Sequence, residues 1–332
     1  MRKTILIGSL LIAISGYAQV IHTPVEILQL LTNSKVKYKI QKLDKTIECK
    51  DYSKNLNYHD CYRVTNDSTI ETFKYTINDD ALPSFDKAEE YFKTNLDSAL
   101  SYYHSALIMQ PSLYMVMTYI GQVCEKKGNL SVAMEWYKTA INKNYIDYMA
   151  HWFLADAYES MGDLDKALDE IVIAQILNRN NSNIKKSMTR ILKKAKRSTE
   201  DWYFTPQIEL SKDSDNTVNL AMNEKWFGYG MAKALWDYEP GYRESMGVSE
   251  GYLSSIECKE CLASQYISLK NAKAKTKKDP QLQILQKAVD KKFLDQYIIY
   301  ELFLPQNPFI ANQLSEKTIL SIKNYILEVR NK

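Results

Sequence analysis

Glycine and proline are scarce, 10 and 8 in 332 residues, under half of the usual combined share of about 12%. That scarcity excludes a turn-rich all-β protein over most of the chain, and collagen-like or linker-dominated architectures. Histidine is scarcer still, with four; no second His–Cys pair accompanies His59 and Cys61, which argues against a metal centre there. Charge of one sign is lacking too: 43 basic and 40 acidic side chains nearly cancel, so no bulk field points to nucleic acid. The motifs GxSxG and HExxH and any Gly-rich phosphate loop are missing. Beyond the first residues, no apolar run is long enough to span a bilayer. What is abundant is core-forming material: 45% of residues are hydrophobic, with 24 Tyr and 5 Trp, which excludes global disorder. The length suits about two domains.

Residues 1–18 read as a secretory signal. Arg2 and Lys3 make a positive start, Ile5 through Ile14 an apolar run, and Gly16 and Ala18 the small residues that precede cleavage before Gln19. The run is too short for a membrane anchor, and no Cys follows it to carry a lipid. The mature chain is therefore expected in the bacterial envelope, secreted or periplasmic, with no membrane insertion. An oxidising compartment permits disulfides. Cys49 and Cys61 form one candidate pair, Cys258 and Cys261 a CxxC, and Cys124 is left over.

Self-similarity is the strongest signal. Ala99, Ala133 and Ala167 recur at one interval, and in the same frame come Leu96, Leu130 and Leu164, then Tyr103, Tyr137 and Ile171, then Ala106, Ala140 and Ala174. Gly128 and Gly162 share that interval and suit tight turns at positive φ. In the middle copy Met117, Ile120, Gly121 and Cys124 mark a first helix; His151, Leu154, Ala155 and Tyr158 mark it in the third. The first copy keeps its second helix and ends at Pro111; its first helix (Phe85, Ala88, Tyr91, Phe92) slips by about one residue. Tyr145 and Arg179 stand where the other copies would carry the proline. This pattern resembles the tetratricopeptide repeat (TPR), a helix–turn–helix unit of about 34 residues that is stable only when several stack. Residues 183–197 suit a capping helix, apolar at Ile184, Met188, Ile191, Leu192 and Ala195. Its seven cations read as a solvated face, or else as a site for an anionic polymer.

The expected fold is mainly α, a TPR-type solenoid over 81–198 with two flanking regions. Residues 19–80 read as a small β-rich unit: a short helix from Pro24 to Leu31, alternation at Val36, Tyr38 and Ile40, and strand-like runs at 45–51, 60–65 and 70–77. Asn66-Asp67-Ser68 suits the turn between the last two. Residues 199–332 read as a helical domain, with helices at 222–238, 250–273, 281–303 and 314–330. Trp226, Phe227, Met231, Leu235 and Trp236 make the first of these central, and Ile319, Ile322, Tyr325, Ile326 and Val329 give the last an apolar face.

Chemistry is thinly signalled. Ser254 to Glu257 suits a capping box ahead of Cys258 and Cys261, a setting that could lower a thiol pKa. Yet no strand precedes the motif, so a structural pair outweighs a redox or metal one. Glu239, Arg243 and Glu244 around a Pro-Gly turn read as salt bridges rather than an acid–base pair. The TPR resemblance implies instead a concave groove lined by first helices. It would present Thr118, Gln122 and Glu125 from the middle copy, Trp152, Asp156 and Glu159 from the third, and Phe85 and Glu89 from the first. The basic clamp by which some TPR domains hold a C-terminal carboxylate is not seen at these places.

The expected function is thus a secreted, non-enzymatic scaffold that binds a protein or peptide with apolar side chains and some amide or positive character. No cofactor, metal or nucleic acid is called for. Two alternatives stand beside it: an envelope thiol-redox protein using Cys258 and Cys261, and an enzyme with its site in the C-terminal helical domain.

Overall fold

The computed structural model describes residues 21–66, 69–249, 254–271 and 279–332. The expected leader at residues 1–18, the expected turn residues Asp67 and Ser68, and both ends of the helix expected at 250–273 lie outside the described residues. The chain begins with α1 (Pro24–Asn33), β1 (Lys37–Lys42), β2 (Cys61–Thr65) and β3 (Ile70–Lys74). Seven helices follow: α2 (Leu82–Tyr91), α3 (Leu96–Met109), α4 (Tyr114–Lys126), α5 (Leu130–Lys143), α6 (Tyr148–Ser160), α7 (Leu164–Leu177) and α8 (Ser182–Lys194). Then come β4 (Ile208–Lys212), β5 (Thr217–Met222), α9 (Phe227–Tyr238), the short α10 (Tyr242–Ser245) and α11 (Ser255–Asn271). The chain ends with α12 (Pro280–Asp290), α13 (Leu294–Tyr297), α14 (Leu304–Gln306) and α15 (Glu316–Tyr325). Wider π-type turns at Ile298–Phe303 and Ile326–Arg330 continue α13 and α15.

These elements form two compact units from interleaved segments. One joins the residues up to Leu43 with Ile208–Ser268; the other joins Asp44–Gln207 with Leu269–Lys332.

In the first unit, the sheet order is β1-β5-β4. β1 runs parallel to β5, Lys37 opposite Thr217, and β4 runs antiparallel to it, Ile208 opposite Met222. Every second residue of β5 (Val218, Leu220, Met222) is buried, as a one-sided sheet requires. Trp226, Met231, Leu235 and Trp236 are buried as expected, but Phe227 is exposed. α1 starts where a capping box, Thr23 with Glu26, meets Pro24 at the first helical position, a strong local start signal.

The second unit carries the repeats. Each pair is an antiparallel hairpin, α2–α3, α4–α5 and α6–α7, and α8 packs on the last. Gly128 and Gly162 make their turns at φ 81°, the left-handed conformation expected of them. Gly121 lets α4 and α5 approach: a Cβ there would lie 2.4 Å from the Tyr137 ring. Ala99, Tyr103, Ala133, Tyr137, Ala167 and Ile171, all repeat-column residues, are buried. Beyond the array, α15 turns its expected apolar face inward; Ile319, Ile322, Tyr325, Ile326 and Val329 are all buried.

The flanks are organised differently from the sequence reading. Residues 19–80 are not one body: α1 and β1 belong to the first unit, while the β2–β3 hairpin belongs with the repeats. The parallel partner of β1 lies far along the chain, as parallel pairing demands, in a stretch that read as helical. Residues 45–51 form no strand; the Ile47 amide is held by the Gln207 side chain instead. Residues 199–332 are likewise split between the units, and their first part holds β4 and β5. The helix expected at 281–303 breaks at Lys292, whose φ of 64° interrupts it.

Candidate interaction surface of the repeat array

α4, α6 and α8 start at Tyr114, Tyr148 and Ser182, so equivalent side chains line up from helix to helix. One row is Thr118, Trp152 and Lys186; the next is Gln122, Asp156 and Arg190. The structure does not leave all the expected groove residues available. Thr118 is fully buried, and its hydroxyl donates to Asp147 Oδ2 at 2.6 Å. It cannot meet a partner, because it helps fix the start of α6 against α4. Glu159 is buried too, held by Arg190 (2.7 Å) and Lys194 (2.8 Å) of α8. Burial alone would raise its carboxyl, but these cations hold it below its ordinary value.

The remaining residues keep part of their surface. Gln122, Glu125, Trp152 and Asp156 are half-buried. Glu125 accepts from Tyr137 Oη at 2.7 Å, as Glu89 accepts from Tyr103 in the first repeat. Trp152 stacks on Phe153 and donates Nε1–H to Ser187 Oγ at 2.9 Å. Asp156 binds Arg190 at 2.6 Å; burial, reinforced by Glu159, raises its carboxyl despite that cation. Phe85 is half-buried against Tyr103 and Tyr119, and Glu89 is exposed. Thus the basic helix α8 turns several of its cations inward onto array carboxylates, with Lys185 paired to Asp201 at 2.9 Å.

A second feature lay outside the groove expectation. Residues 55–66 and 69–78 run as an arm along the edge where second helices end, and polar contacts hold it there. His59 of this arm pairs with buried Asp147 at 3.0 Å, so it is a tertiary clasp. Arg63, also buried, donates to Leu314 O at 2.6 Å. The signal that could have revealed this edge is a column of amides, Gln110, Asn144 and Asn178, spaced at the repeat interval beside Pro111, Tyr145 and Arg179.

The array's far end is closed by a buried ion cluster. Glu301 meets Arg330 Nε at 2.9 Å and Arg179 at 3.8 Å, and Tyr325 Oη donates to it at 2.9 Å. Arg179 also lies over the Tyr300 ring at 4.4 Å. The residue in the place of a repeat-ending proline therefore docks the C-terminal helices.

The cysteines carry no disulfide: Cys49, Cys61, Cys124, Cys258 and Cys261 are all free thiols. Cys49 is exposed, and its Sγ donates to Lys50 O. Burial, with the Asp60 carboxylate that accepts its S–H, pushes the Cys61 thiol up to about 12. Cys258 and Cys261 are buried in α11, and burial raises both thiols well above the ordinary value. Glu257, the last residue of the expected capping box, binds Lys233 (2.5 Å) and Arg243 (2.6 Å). A protonated, buried thiol is a poor nucleophile, which favours the structural reading of this CxxC. An open depression of about 580 Å³ in the first unit is lined by Asp237, Glu239, Arg243 and Glu244. Three of its charges are engaged: Arg243 meets Glu257 and Asp237, and Glu239 accepts from Tyr38 Oη at 2.9 Å.

No protein-family model matches the chain, and no curated protein matches it. Solved structures similar to it include the first TPR of Spaghetti (RPAP3) bound to an HSP90 peptide SRMEEVD, at 19% identity, covering 36% of this chain and 99% of that one, with a TM-score of 0.35. The Arabidopsis OM64 TPR domain matches at 16% identity over 35% of this chain and 96% of its own, TM-score 0.33. The MamA protein matches at 13% identity over 67% of this chain and 96% of its own, TM-score 0.32. The type of the array rests on its own helices: three antiparallel pairs at one fixed interval, a glycine turn in two of them and a further half-repeat in α8 make residues 82–194 a tetratricopeptide-type array.

Proposed function

We propose that this protein is a secreted, non-enzymatic scaffold that holds a protein partner on the inner face of its first helices. The observation that carries the reading is the row geometry: Gln122, Trp152 and Asp156 stand in register on α4 and α6 with part of their surface open. A half-buried indole beside an amide offers apolar area with directional hydrogen bonding, the combination favoured at binding hot spots. Because Arg190 already neutralises Asp156, the face suits apolar and amide groups better than a strongly cationic partner. Residues 1–18 would be the leader that delivers the chain to the envelope.

The test uses the full-length protein as bait for envelope proteins. Trp152→Ala and Asp156→Ala are each expected to weaken capture about tenfold while leaving the helical melt cooperative. Capture equal to that of the unaltered protein, at equal bait density, would remove the inner face from the account.

A further inference from the structure

The second helices of the three repeats end at Gln110, Asn144 and Asn178, each with φ between −140° and −146°. Each of these side-chain amides makes two hydrogen bonds to the backbone of the arm. Gln110 accepts from Asn78 N at 2.8 Å and donates to Thr76 O at 2.8 Å. Asn144 accepts from Arg63 N at 3.1 Å and donates to Cys61 O at 3.1 Å. Asn178 accepts from Asn57 N at 3.0 Å and donates to Asn57 O at 2.7 Å. Asn180 adds a donation to Asn55 O at 2.8 Å. An amide that accepts from an N–H and donates to a C=O does what a neighbouring β-strand does, and it reads main chain without regard to side chain. The arm runs against the order of the repeats, from Asn57 on the third to Asn78 on the first.

The arm is held the way a peptide ligand is held. Among the described residues of 44–80, no apolar side chain is fully buried; the two buried residues are Asn57 and Arg63. Its side-chain anchors are Asn57, which donates to Leu177 O at 2.9 Å, Arg63, which donates to Leu314 O at 2.6 Å, and His59, which places one ring nitrogen on the buried Asp147 carboxylate. The other nitrogen, Nε2, is buried with no hydrogen-bond partner among the described residues. A buried donor or acceptor left unmade is costly.

We propose that Asn144 and Asn178 of this column form a main-chain-binding strip for extended peptides, that residues 55–63 are its resident occupant, and that a partner segment bringing an imidazole or ammonium group to Asp147 takes their place. A cationic or imidazole group is called for because an emptied site would leave the buried Asp147 carboxylate, still bonded by Thr118 and the Met149 and Ala150 amides, without a counter-charge. The strip uses other residues than Gln122, Trp152 and Asp156 of the inner face, so the two readings are tested separately.

The test uses the full-length protein and a fluorescein-labelled synthetic peptide copying residues 54–64 with Cys61→Ser. The tethered arm competes at an effective concentration near millimolar, so the unaltered protein should bind the peptide only in that range. Protein carrying His59→Ala should bind it at least tenfold more tightly, since its own arm is weakened. Adding Asn144→Ala and Asn178→Ala to that variant should weaken binding at least tenfold, and the same peptide with His59→Ala should be a poor ligand. Trp152→Ala should change nothing; if it abolishes binding, the peptide lies on the inner face and the strip is refuted. Should the amide variants unfold, hydrogen exchange on the unaltered protein decides. Saturating peptide should deprotect the amides of Asn57 and Arg63, and unchanged protection would overturn the proposal.

Discussion

At the scale of single residues, Asp147 concentrates the most consequence. It caps α6 through the amides of Met149 and Ala150, accepts from Thr118, and faces His59 between the Tyr119 and Tyr148 rings. Burial pushes its carboxyl up, but the His59 charge and the hydrogen bonds from His59, Thr118 and Ala150 more than offset that and hold it below the ordinary 3.8. A carboxyl with a depressed folded pKa contributes stability that is complete above its unfolded value and vanishes as pH falls through the folded one. Asp147→Asn is accordingly expected to cost about 1–3 kcal/mol at pH 7 and distinctly less at pH 3, read from urea unfolding at both values. An equal loss at both would show that the charge plays no part. The cysteines teach the opposite lesson: their spacing suggested chemistry, and burial in α11 removed it.

At the scale of elements, the repeat hairpin works by trading volume between facing helices. Gly121 faces Tyr137 in the middle repeat, while Ala155 stands in the column that faces Ile171 in the third; all four are buried. Gly121→Val would drive methyl groups into the Tyr137 ring, whose Cε1 lies 2.4 Å from the position of a Cβ. Overpacking of this kind is expected to destabilise the array by about 1–3 kcal/mol, measured as a fall in the thermal midpoint of the helical signal. An unchanged midpoint would mean that α4 and α5 are not packed at this column. α8 completes the series. It is capped by Asn181, buries Ile184, Met188, Ile191 and Leu192, and places Arg190 and Lys194 on the carboxylates of α6. Its charge had read as a solvated face because those acids lie one repeat away, beyond any local pattern.

At the scale of the whole molecule, two units are assembled from alternating stretches of one chain. The repeats contact their sequence neighbours, whereas the three-stranded sheet must bring Lys37–Lys42 beside Thr217–Met222. Long-range pairing is slow because loop closure precedes any gain in contacts. On refolding, amides of α4–α7 should gain protection about tenfold earlier than those of β5, as pulse-labelled hydrogen exchange would record; simultaneous protection would contradict this. The same division explains what could be read in advance. The sequence by itself determined the helix pairs, their interval, their glycine turns and the start of α1 at Pro24, since each rests on periodicity or on groups within a few residues of one another. Only the tertiary structure decided that β1 pairs with β5, that Thr118 and Glu159 are consumed inside the array, and that an arm lies on its amide edge. Those outcomes depend on which distant polar groups and strand edges are brought within hydrogen-bonding distance, and a local pattern carries no information about that.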